Sequence, residues 1–206
     1  MDSIIFDLDG TLWDSRKTVA KSWSEVVKSS PDGIGEITEE DLKATMGLQI
    51  KDIAKIVFGY LDETKQMELI LDCCHNERLY LLDEGGQLFP GLEEVLQKLS
   101  ERYKLFIVSN CQEGYIEAFY EYHGLKQYFQ DFENPGRTGL SKGENIQLVI
   151  ERNQLKSPVY VGDTQSDKDA TEYAKVPFVY AAYGFGQVEV FNYKIDNFEE
   201  LINLFM

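Results

Sequence analysis

Apolar residues along this chain follow two patterns that alternate. Short β-branched or aromatic runs ending at turn residues predict strands over 4–7, 105–108, 128–132, 159–161 and 177–180. Between the later runs, apolar positions recur at helical spacing over 92–99, 115–122, 144–152 and 167–174. Strands that alternate with helices predict an α/β core, a parallel sheet with helices on both faces.

Residues 14–84 break the alternation with helical patterns and no strand. Met67, Ile70, Leu71 and Cys74 recur at helical spacing, and Thr38 with Asp41 reads as a capping box. Gly85-Gly86 closes the stretch, and Phe89-Pro90-Gly91 restarts the α/β pattern with Pro90 near a helix start. About 70 residues is too long for an ordinary loop. The expectation is an all-helical domain at 15–84, inserted through two hinges into a core formed by 1–14 and 85–206.

Composition narrows the partners. Twenty Lys+Arg against 36 Asp+Glu leave a formal charge of −16. Such a balance excludes the nucleic-acid backbone and an anionic membrane surface as main partners, because both need clustered cations. Apolar residues at 43%, with 13% aromatic, suffice for a packed core. Three cysteines, Cys73, Cys74 and Cys111, form no C-x-x-C pair and suggest no disulfide framework. The start Met1-Asp2-Ser3-Ile4-Ile5-Phe6-Asp7 lacks the basic, longer apolar pattern of an export signal, and no run is long enough to span a membrane. A cytoplasmic protein is expected, and a monomer.

In open parallel sheets, ligands bind beyond the carboxyl ends of the strands. Those ends carry Asp7-Leu8-Asp9-Gly10-Thr11, Ser109-Asn110, and Asp163-Thr164-Gln165-Ser166-Asp167. Asp9-Gly10 is a common turn pair, but that leaves Asp7 as an acid in an apolar strand, where an unpaired carboxylate is costly. A cation offsets that cost, and clustered carboxylates with open water positions suit magnesium. Asp167 has two readings, helix cap after Thr164 or part of an acidic site, and Asp163 is the harder of the two to explain by capping. Ser141 and Glu144 place Lys142 in the first turn of a helix, where a cation opposes the helix dipole. Lys142 is therefore either an exposed lysine or one aimed at a bound phosphate or at the aspartates. His75 and His123 read as structural. Cys111 adjoins Asn110, with nothing beside it to activate a thiolate. Tyr183-Gly184-Phe185-Gly186 reads as a glycine-rich turn, a place beside the site being the other reading.

These residues, in this order, resemble the haloacid dehalogenase superfamily, in its phosphoglycolate phosphatase-like branch with a small α-helical cap. Asp7-Leu8-Asp9-Gly10-Thr11 after Ile4-Ile5-Phe6 resembles the first motif of that family, Ser109 the second, Lys142 the third and Gly162 to Asp167 the fourth. The resemblance implies a Rossmann-like core and a magnesium-dependent phosphatase acting on a small phosphorylated metabolite. It implies Asp7 as nucleophile, forming an aspartyl-phosphate, and Asp9 as general acid and base. It implies Mg2+ on Asp7, the Asp9 backbone carbonyl and Asp163, with Asp167 orienting the metal shell. Ser109, Lys142 and the Leu8 and Asn110 backbone would hold the phosphoryl oxygens. Asp9 favours phosphoryl transfer over dehalogenation, since halide departure needs no proton. The segment Lys142-Gly143-Glu144-Asn145 lacks the prolines of phosphoglycolate phosphatase-like relatives, and Met46-Gly47-Leu48-Gln49 matches their Gly-Leu-Pro loosely. A mutase or nucleotidase of the same superfamily, and a silent binding protein on this fold, are the competing readings.

Overall fold

The computed structural model describes all 206 residues. The chain opens with β1 (Ser3–Phe6) and a short β2 (Trp13–Asp14), followed by helices α1 (Arg16–Ser29), α2 (Glu39–Lys43), α3 (Ile50–Val57) and α4 (Glu63–Glu84) and a short β3 (Gln87–Leu88). It continues through α5 (Leu92–Ser100), β4 (Lys104–Val108), α6 (Tyr115–His123), β5 (Phe129–Glu133), α7 (Pro135–Thr138) and α8 (Lys142–Asn153). The last elements are β6 (Pro158–Gly162), α9 (Gln165–Ala174), β7 (Phe178–Ala181), β8 (Tyr193–Ile195) and α10 (Glu200–Phe205). All five expected strands and the four expected helices outside 14–84 are present, each within about two residues of its expected bounds, the usual scatter at element ends.

Successive residues of a strand point to opposite faces, and here both faces are apolar. Ile4 and Phe6 of β1 enter one core and Ile5 the other, all three fully buried. Leu105 and Ile107 of β4 join the first, and Phe106 and Val108 the second. Ile146 and Val149 of α8 and Ala170 of α9 cover the second face, while α5, α6 and α10 supply Leu96, Leu99, Phe119 and Leu201 to the first. The six strands run in the order β5-β4-β1-β6-β7-β8, every neighbouring pair parallel. The chain winds outward from β1 through β4 and β5, then returns to the other side through β6, β7 and β8. Winding reverses beside β1, so the carboxyl ends of β1, β4 and β6 border one crevice.

The four helices α1–α4 lie between β2 and β3, which pair antiparallel, Trp13 with Leu88 and Asp14 with Gln87. The chain thus leaves and re-enters the core side by side. The Thr38–Asp41 capping box forms as expected, with Asp41 N donating to Thr38 Oγ1 at 3.2 Å. The expected stripe on α4 requires a correction. Ile70 is fully buried but Leu71 is 51% exposed, because the packed face runs through Gln66, Leu69, Cys73, Glu77 and Leu81. No helix is long and apolar enough to cross a membrane.

Candidate active site

The amide of Asp7 donates to Val161 O at 2.8 Å, continuing the β1–β6 pairing one residue past the strand. The chain then turns sharply, with the amides of Thr11, Leu12 and Trp13 all directed at Leu8 O. Gly10 occupies the left-handed region at φ +81°, and a Cβ there would stand 2.3 Å from the Asp163 carboxylate. Only glycine meets both demands.

Asp7, Lys142, Asp163 and Asp167 converge beyond the strand ends. Lys142 Nζ donates to Asp7 Oδ1 at 2.9 Å and to Asp167 Oδ1 at 2.6 Å, and the lysine is buried. Of the two readings of Lys142, the structure therefore selects the aspartate cluster. Asp167 performs both tasks considered for it. Its Oδ2 accepts from Thr164 N at 2.9 Å and Thr164 Oγ1 at 2.7 Å, closing a capping box, while Oδ1 takes Lys142 and the Tyr160 hydroxyl at 3.2 Å. Burial opposes its charge, but Lys142 and the capping donors outweigh that and hold the carboxyl below the usual range.

Asp163 is the unpaired member. Its Oδ2 accepts from Phe185 N at 2.7 Å, and its buried Oδ1 has no hydrogen-bond partner. Burial, with the charges of Asp167 and Asp7, raises its pKa well above the usual value. Burial likewise raises Asp7 to about 6, with Asp167 adding to the shift and Lys142 opposing it. Three buried carboxylates thus face one buried ammonium, and their oxygens lie within 4.8 Å of one another. This donor set fits a hard cation with oxygen ligands. Asp7 and Asp163 have lone pairs to spare, whereas Asp167 has committed both oxygens.

Asp9 points the other way, toward the helical insertion. Its Oδ1 accepts from Ser15 Oγ at 2.5 Å and Tyr115 Oη at 3.1 Å, and these two hydroxyls lie 2.8 Å apart. Burial raises the Asp9 pKa to about 7, against the pull of the Ser15 bond. Ser15 precedes α1 yet makes no side-chain cap; its hydroxyl serves Asp9 instead. Nothing in the sequence patterns singled out Ser15, Tyr115 or Tyr160, since each sits at an ordinary helix or strand position.

Ser109 is buried at the end of β4, beside Asp7. Asn110 instead sends Nδ2 to Gly47 O at 2.9 Å, tying the 45–49 loop to the core. Gly47 also lies close to Thr164, where a Cβ would stand 2.9 Å from its hydroxyl. Cys111 is buried nearby, and burial with the Asp9 and Asp7 charges holds its thiol well above the ordinary value, so it is no thiolate. His123 packs edge-on to Trp13 at 5.7 Å, the structural role expected of it.

The 183–186 loop is part of the site. Beyond the Phe185 amide on Asp163, a Cβ at Gly184 would stand 2.3 Å from Asp163 Cβ and 2.5 Å from Gly10 O. Gly184→Ala is therefore expected to displace Asp163 and to destabilise the fold by about 1–3 kcal/mol, as overpacking a closed site does. Thermal melts check this: an unchanged midpoint would show that the loop tolerates the methyl group.

A model of the haloacid dehalogenase-like hydrolase family matches residues 4–181. A phosphoglycolate phosphatase from Photobacterium profundum is 27% identical, over 98% of this chain and 94% of its own. One from Synechococcus elongatus is 30% identical, over 90% of this chain and 85% of its own. A haloacid dehalogenase-like family hydrolase from Streptococcus pneumoniae has the same fold, with a TM-score of 0.87 and 20% identity over 100% of this chain and 99% of its own. With the motifs gathered at one crevice and the family model spanning both the sheet and the insertion, the chain belongs to the haloacid dehalogenase-like hydrolases.

Proposed function

We propose that this enzyme is a magnesium-dependent phosphatase that hydrolyses small phosphorylated metabolites through an aspartyl-phosphate on Asp7. The observation that carries the proposal is the division of labour among the four aspartates. One is free to attack, one is held away near neutral pKa, one has an unpaired buried oxygen, and one is saturated by Lys142 and the turn. Relatives named phosphoglycolate phosphatase support phosphate monoesters as the substrate class.

Asp7 Oδ2 attacks phosphorus in line as the bond to the leaving oxygen breaks. Lys142 and the Ser109 hydroxyl hold the phosphoryl oxygens, with the Leu8 and Asn110 amides beside them. A pKa of about 7 lets Asp9 give a proton to the departing alcohol and then take one from the water that attacks the aspartyl-phosphate. Ser15 and Tyr115 hold Asp9 in position for both transfers. Magnesium would be held by Asp7, the Asp9 backbone carbonyl and Asp163, and would neutralise charge where a carboxylate meets a phosphate dianion. Residues 15–84 act as a cap, whose 45–49 loop, resting on Asn110 and beside Thr164, keeps water from the reacting groups.

The test is release of inorganic phosphate from a panel of phosphorylated metabolites, with magnesium and with chelator. Metal-dependent release from at least one compound is expected; release indifferent to chelator, or from none of the panel, would overturn the proposal.

The metal assignment also has a stability signature. Without metal, Asp163→Asn is expected to melt no lower than the wild type, because it removes a buried charge that faces two others. Magnesium at a hundred times its dissociation constant stabilises the wild type by about 2.7 kcal/mol, roughly 5–10 °C in a chain of this size. The variant gains little of that. An equal magnesium-induced rise in both proteins would remove Asp163 from the metal site.

A further inference from the structure

Between the helical insertion and the end of β4 lies a cavity of about 80 Å³, several times the space one water needs. Asp7 and Asp9 form one side, so this is where the leaving group of a monoester attacked by Asp7 would sit. Much of the remaining lining is apolar, with Ile50 and Ile53 of α3, Cys74 of α4 and Trp23 of α1, and it includes the neutral polar Thr45 and Gln112. One further acidic residue lines it. Glu77, on the packed face of α4, is 5% exposed and borders the cavity. Its Oε2 accepts from Trp23 Nε1 at 2.6 Å, the one hydrogen bond that the protein makes to this carboxyl. Burial raises its pKa to about 8, against the Trp23 bond and with a further push from Asp9.

The cavity lining contains no lysine, arginine or histidine. Lys142 is bonded to Asp7 and Asp167 and does not line the cavity. A carboxylate entering here would shed its hydration beside Asp9 and Glu77, whose own ionisation burial already opposes, and would meet no lysine, arginine or histidine, a costly placement. A hydroxyl or ammonium group would instead find Glu77 Oε1, which Trp23 leaves free and which accepts a hydrogen bond, over an aromatic and aliphatic wall.

We infer that Glu77 reads the leaving group, and that the cavity admits short phosphomonoesters whose alcohol carries a hydrogen-bond donor and no negative charge while disfavouring carboxylate-bearing esters such as phosphoglycolate. This inference rests on the phosphatase reading above. It separates this enzyme from the substrate in the names of the two relatives given above, which are 27% and 30% identical to it. Glu77 lies in α4 of the insertion and not in the strand-end motifs, so the two can diverge independently.

Four esters on one two-carbon frame test it: hydroxyethyl phosphate, aminoethyl phosphate, ethyl phosphate and phosphoglycolate, each with magnesium. In kcat/KM, hydroxyethyl or aminoethyl phosphate is expected to exceed ethyl phosphate by about tenfold, the worth of one hydrogen bond. Whichever leads identifies the donor that Glu77 prefers. Phosphoglycolate is expected to trail ethyl phosphate by about tenfold or more, because it brings a charge without a partner. Glu77→Leu brings the ratio of the leading ester to ethyl phosphate close to one, while Glu77→Gln, which keeps an acceptor for Trp23, retains most of it. These are ratios within one preparation, so a partly folded variant does not move them. Phosphoglycolate matching or surpassing the hydroxyl and amine esters, or a Glu77→Leu ratio equal to the wild type's, overturns the inference and leaves the phosphatase reading standing. Turnover of none of the four overturns the phosphatase reading for short monoesters, and this inference with it.

Discussion

Asp7→Asn is expected to remove phosphate release, lowering kcat on the order of 10⁴-fold or more, as loss of a nucleophile does. An amide of the same shape cannot attack phosphorus, and no other side chain in the crevice is placed to replace it. Asp167 has both oxygens engaged, Asp163 is held by the Phe185 amide, and Asp9 is turned toward Ser15 and Tyr115. The fold should survive. Burial raises the Asp7 pKa to about 6, above its ordinary 3.8, so ionising it costs the folded state stability as pH rises through that interval. At neutral pH the amide avoids that cost, and Lys142 keeps Asp167 as its partner. Thermal melts at pH 7 are therefore expected to place the variant no lower than the wild type. Phosphate release at the wild-type rate would show that another group attacks.

Lys142→Ala is expected to have the largest effect on stability. The lysine side chain is 3% exposed, between carboxylates that are 4% and 0% exposed. Burial opposes its charge, but Asp167 and Asp7 outweigh that and hold its pKa above the ordinary value. Removing the ammonium leaves two buried carboxylates facing each other with a third nearby. Breaking one side of a buried ion pair typically costs about 3–5 kcal/mol, which in a chain of this length lowers the melting temperature by roughly 10 °C or more. On the proposed metal assignment magnesium would supply positive charge to the same cluster and return part of the loss, so the melts are run with and without metal. A shift below about 2 °C in metal-free buffer would mean that the carboxylates are neutral in the folded protein and that the ion network contributes little.

The core sheet was legible because its central strands are buried on both faces and therefore read as short unbroken apolar runs, as in Ile4-Ile5-Phe6 and Leu105-Phe106-Ile107-Val108. β8 was not. Of its three residues only Ile195 is buried, while Tyr193 and Lys194 are exposed at the sheet edge, so no run or alternation marks it. Single-turn α7, and α10 with Leu201 as its one buried residue, give equally little periodicity. The strand-end acids stood out because carboxylates at the ends of apolar strands conflict with burial, and the structure resolves that conflict by placing Asp7, Asp163 and Asp167 with Lys142 and giving Asp9 the Ser15 and Tyr115 hydroxyls. The supporting shell was illegible for the opposite reason. Tyr115, Tyr160 and Ser15 fit their local elements, and only the tertiary fold brings their hydroxyls to Asp9 and Asp167.

Glu77 lay between these cases. Placing the α4 stripe on Leu71 and Cys74 put the helix face slightly out of rotation. With Ile70 and Cys73 as its centre, an acid four residues further along falls on the buried side. A carboxylate on a packed stripe conflicts with burial just as Asp7 does at the end of its apolar strand. In sequence the 183–186 loop looks like any turn, because glycine-rich turns are common. Its purpose becomes visible only when Gly184 and Gly10 are found to close on Asp163 from two sides.

The central claim is that the phosphoryl group passes through Asp7. It is tested most directly by rapid acid quench during turnover of a radiolabelled monoester, followed by peptide mapping of the labelled protein. Label is expected on the peptide containing Asp7, appearing before free phosphate and chased into phosphate by unlabelled substrate. Steady turnover with no label on the protein, or label on a residue other than Asp7, would contradict it.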